Sequence, residues 1–83
     1  MNLSTIAASM TKKAIQTGSD YYQLPRGLHL ALSIEGPSRT LTLSRKRVPP
    51  SQSEANICRA VFQVPNGATM TTRDNRITIR WTT

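Results

Sequence analysis

LHLALSIEGPSRTLTLSR, residues 28–45, decides the fold. Leu28, Leu30, Leu32 and Ile34 alternate with His29, Ala31, Ser33 and Glu35, and this period of two predicts a strand with one buried face. Gly36, Pro37 and Ser38 supply a turn. From Arg39 to Arg45 the alternation resumes, with Leu41 and Leu43 inward against Thr40, Thr42 and Ser44. The stretch is a β-hairpin.

Downstream, Ala68 to Arg73 and Arg76 to Thr82 form a second pair of short strands, turned at Asp74-Asn75. Ile77, Ile79 and Trp81 alternate with Arg76, Thr78 and Arg80, which makes Trp81 a core or core-edge anchor. Two helical patterns flank the first hairpin. Leu3, Ile6, Ala7, Met10 and Ala14 recur at helical spacing, with Asn2 or Ser4 as the cap and Gly18 as the stop. Ser51 and Glu54 form an S-x-x-E capping box, followed by the apolar stripe Ala55, Ile57, Cys58, Val61 and Phe62, and Pro65, Asn66 and Gly67 end that helix. Tyr21 and Tyr22 suit the start of an edge strand, but Pro25 and Gly27 break it, so residues 19–27 read as a connection. The expected fold is α+β in the order α-β-β-α-β-β, a four-stranded antiparallel sheet with both helices on one face. At 83 residues the chain suits one domain, residues 1–83.

Charge is the most informative part of the composition. Eleven Lys and Arg face four acids, for a net +7, and eight of the eleven are Arg. Arginine forks onto phosphate or carboxylate, so the balance points to nucleic acid, an anionic membrane surface or an acidic protein patch, although such charge also serves solubility. No apolar run is long enough to span a bilayer, so no membrane-spanning segment is expected, and the partner expected is not a membrane. A single cysteine, Cys58, excludes an internal disulfide and fits a reducing, cytoplasmic setting. Placed on the core side of its helix, Cys58 reads as a small buried hydrophobe. The Ser- and Thr-rich start, with Lys12 and Lys13 and no acid, reads as a helix of the domain rather than a targeting peptide.

Chemistry is thinly represented. The one histidine, His29, lies on an outward strand position, and Asp20, Glu35, Glu54 and Asp74 are dispersed. Neither a nucleophile with its base nor a paired carboxylate is evident. One Cys and one His cannot build a zinc site, and no glycine-rich phosphate loop occurs, so neither catalysis, a metal nor a cofactor is expected. Two binding surfaces remain. The outer sheet face gathers Arg73, Arg76 and Arg80 among Thr, Ser and His29, with no aromatic residue, which argues against base stacking. The loop Arg45, Lys46 and Arg47 leads into Ser51 at a helix N-terminus, where backbone N–H groups also favour an anion. That loop is expected to be exposed.

Residues 41–67, LTLSRKRVPPSQSEANICRAVFQVPNG, resemble small uncharacterised proteins of phages and other mobile elements. The likeness lies in the strand ending Leu43-Ser44-Arg45, the Pro50-Ser51 helix start with Glu54, Arg59 and Phe62, and the Val64-Pro65 exit. It implies an accessory protein acting inside a bacterial cell, a class that includes DNA-associated factors and inhibitors of host defence such as anti-CRISPR proteins. It assigns no residue a role. The expected function is non-enzymatic binding of nucleic acid through phosphate contacts. The alternative is an inhibitor that docks on an acidic or nucleic-acid-binding surface of a host defence complex. Pairing of edge strands into a homo-oligomer is a further expectation.

Overall fold

A computed structural model describes residues 2–83. The chain runs α1 (Leu3–Thr17), β1 (Ser19–Gln23), β2 (His29–Glu35), β3 (Ser38–Ser44), α2 (Gln52–Val61), β4 (Thr69–Arg73) and β5 (Arg76–Thr82). The α+β class is as expected, but the sheet has five antiparallel strands, in the order β1-β2-β3-β5-β4, rather than four. The added strand is β1. Gly18, at φ 95°, turns the chain out of α1, and its carbonyl accepts from Ile34 N at 2.9 Å, which lays residues 19–23 along β2. Pro25 ends this strand instead of preventing it.

Register fixes which side chains reach the core. Leu32, Leu41 and Ile79 stand abreast on β2, β3 and β5, and Leu30, Leu43 and Ile77 form the next row. All six are buried, together with Ile6, Ala7, Met10 and Ala14 of α1 and Ala55 and Cys58 of α2. Burying each Leu or Ile contributes roughly 1.5–3 kcal/mol, and a one-residue slip would turn every one of them to water. Trp81 is buried in the same core, as its alternation predicts. Ile57 departs from expectation. Helical spacing puts it on the apolar stripe of α2, yet it is 54% exposed, because the buried line runs through Ala55, Cys58 and Phe62.

Both helices are capped by their own side chains. Asn2 Oδ1 accepts from Thr5 N at 2.8 Å, and Ser51 Oγ accepts from Glu54 N at 3.2 Å. At the other end, α2 stops before Pro65. Gln63 takes φ 56°, its N–H donates to the Ala60 carbonyl, and Val64 N donates to the Arg59 carbonyl. Those paired bonds make a Schellman motif, whose left-handed position usually holds glycine. Gln63→Gly is therefore expected to raise stability by about 0.5–1 kcal/mol, read as a higher urea midpoint at unchanged slope.

Candidate functional site

The helices cover one face of the sheet, and the other is left open. Three rows cross that open face from β4 to β1. They are Arg73–Arg76–Ser44–His29–Gln23, Thr71–Thr78–Thr42–Ala31–Tyr21, and Thr69–Arg80–Thr40–Ser33–Ser19. Arg73 and Arg76 thus face each other across the β4–β5 hairpin, where like charges oppose folding by roughly 0.2–1 kcal/mol. Asp74, at φ 54°, supplies the positive φ that a tight hairpin turn needs, a conformation aspartate tolerates better than most residues.

The loop after β3 is fastened to this hairpin. Arg45 N donates to the Asn75 carbonyl at 3.2 Å, and Asn75 Nδ2 donates to the Lys46 carbonyl. The two surfaces expected from sequence are consequently neighbours. Arg45, Lys46, Arg73, Arg76 and Arg80 line one shallow concavity of about 1010 Å³, with Asp74 its single acid. Arg47 and Ser51 stand outside it.

Arg45 has a different task from the other four. Its guanidinium forks onto Glu54, with Nη1 donating to Oε1 at 3.1 Å and Nη2 to Oε2, while Nε donates to the Arg26 carbonyl at 3.2 Å. Glu54 Oε1 also accepts from Ser51 N at 2.8 Å, completing the capping box. The Arg45 guanidinium, then the Ser51 N–H, hold the Glu54 carboxyl down at about 2. The anion received at the start of α2 is therefore the protein's own carboxylate. Lys46 and Arg47 are exposed, as expected of the loop, but the Arg45 side chain is only 14% exposed.

Arg45–Glu54 is the only ion pair among the described residues. Arg73, Arg76 and Arg80 are exposed and have no carboxylate partner. The expectation of a face without aromatics is overturned. Tyr21 sits on it at β1, 74% exposed, whereas Tyr22 points to the helix side. Two consecutive tyrosines on a short edge strand carry no alternation, so only the pairing with β2 decides which one faces outward.

Cys58 is buried in the core, and burial pushes its thiol up to about 11, as suits an inert core thiol. Among the described residues no helix is long and apolar enough to cross a membrane, and no cluster of His, Cys, Asp or Glu has metal-binding geometry. Compared with protein-family models, curated proteins and solved structures, the chain has no significant match, so the site is read from its own residues.

Proposed function

We propose that this chain is a non-enzymatic basic protein that binds nucleic acid through phosphate contacts on the open face of its sheet. One observation carries this reading: Lys46, Arg73, Arg76 and Arg80 converge on one concavity, and the three arginines have no carboxylate partner. Opposed cations cost the free protein stability, and an anion laid between them removes that cost. Threonine and serine hydroxyls between the arginines add neutral donors to phosphate oxygens. The setting, a phage or mobile-element accessory factor in the bacterial cytoplasm, belongs to the same proposal and rests on the resemblance of residues 41–67.

Salt dependence tests it. With four cations on four phosphates, a plot of log K against log salt for duplex DNA should fall with a slope of about −3 to −4. An affinity indifferent to salt would remove phosphate contact as its source. A stoichiometric complex with a host protein that survives nuclease would point to the protein-docking alternative.

A further inference from the structure

We propose that the nucleic acid this face accepts is single-stranded, with Tyr21 as the platform on which a base stacks. The inference rests on the reading of the face as a nucleic-acid surface and adds which form it takes. Tyr21, His29, Ser44 and Arg76 line a depression of about 570 Å³ on the outer face near the β1 edge. His29, Ser44 and Arg76 also line the arginine concavity, so the two join in one trough across the strands. Its ends differ chemically. The β4 end holds cations for the backbone, and the β1 end holds an exposed phenol ring beside a histidine ring one row away.

The ring is open to an incoming base. Its neighbour in the row is Ala31, too small to cover it, and Tyr21 is 74% exposed. Five strands leave four gaps of about 4.8 Å, so the trough is roughly 19 Å long, suited to about four nucleotides. A duplex keeps its base faces stacked on one another and would offer Tyr21 only sugar and phosphate. Nor does this face present a helix to a major groove, since α1 and α2 lie behind the sheet. A single strand crossing the sheet satisfies both ends of the trough at once, with base on ring and phosphates on arginine.

The test uses the full chain and fluorescein-labelled probes matched in phosphate count: oligo-dT, oligo-U and a duplex hairpin. Single strands of either sugar should bind at least tenfold more tightly than the duplex. Tyr21→Ala should weaken the single strands roughly tenfold, Tyr21→Phe should stay within about twofold, and duplex binding should not respond to either. Arg76→Ala should weaken all three probes. Because Tyr21 is exposed on an edge strand, both tyrosine variants should keep the wild-type circular dichroism and melting temperature. A Tyr21→Ala protein that binds oligo-dT and oligo-U like wild type overturns the inference, as does a duplex bound as tightly as the single strands. In either case salt-sensitive binding that needs Arg76 would leave the broader reading standing, while no binding to any probe at low salt would end both.

Discussion

Reversing Arg73, Arg76 and Arg80 together to glutamate is expected to lower nucleic-acid affinity by roughly two orders of magnitude or more while the protein stays folded. All three side chains are exposed and hold no ion pair. The reversed pair at 73 and 76 still sets like charge against like, so the hairpin gains and loses little. Three reversals, each worth two charges, take the formal charge from +7 to +1. A matched control separates position from total. Lys12→Glu, Lys13→Glu and Arg59→Glu on the helices give the same +1, and this triple should keep most of the affinity. Equal loss in both triples would show that net charge, not the sheet face, does the binding. Arg73→Thr alone makes the converse point. Relieving the cross-strand repulsion should stabilise the free protein by about 0.2–1 kcal/mol while weakening binding, a trade-off expected where a surface is shaped for a ligand. Thermal melts and anisotropy titrations of the one variant read both effects.

The second large effect is on stability. Glu54→Ala removes half of the capping box and the partner of Arg45 in one change. Cap losses cost about 1 kcal/mol and a partly exposed ion pair up to about 1 more, so the expected loss is about 2 kcal/mol. For a domain of this size that lowers Tm by roughly 10 °C. Glu54→Gln should lose less, because glutamine also serves at this position of the box. The two variants separate further with pH. Folding lowers the Glu54 carboxyl from 4.5 to about 2, so its stabilisation is complete above 4.5 and drains away as pH falls toward 2. The gap between wild type and Glu54→Gln in urea midpoint should therefore close over that window. A gap that stays constant would mean that the charge on Glu54 contributes nothing. Reversal of Arg45 would set two carboxylates together, so it reports on folding and not on ligand binding.

Much of the architecture is legible because its strands have a buried face. Leu30, Leu32, Leu41, Leu43, Ile77 and Ile79 alternate cleanly, and all six are in the core. Where that pattern is absent, reading stops. β1 has the sequence SDYYQ, one neighbour in the sheet and no apolar alternation, so hydrogen bonding to β2 alone identifies it and aims Tyr21 outward. The end of α2 is hidden for a related reason, since Gln63 takes a left-handed conformation that composition assigns to glycine.

The candidate site was half visible. Arg73, Arg76 and Arg80 follow from strand parity. That Lys46 joins them depends on Asn75, 29 residues away, reaching the Lys46 carbonyl. The role of Arg45 was concealed because Glu54 was fully explained by its capping box. A carboxylate has two oxygens, and the second had capacity to spare.

The most direct measurement is a titration of isotope-labelled protein with a short single-stranded oligonucleotide, followed by amide NMR shifts. Saturable shifts should concentrate at Tyr21, Thr42, Ser44, Arg76, Thr78 and Arg80, and the amides of Lys12, Lys13 and Arg59 should stay in place. Shifts confined to the helices, with the open face of the sheet silent, would contradict the account.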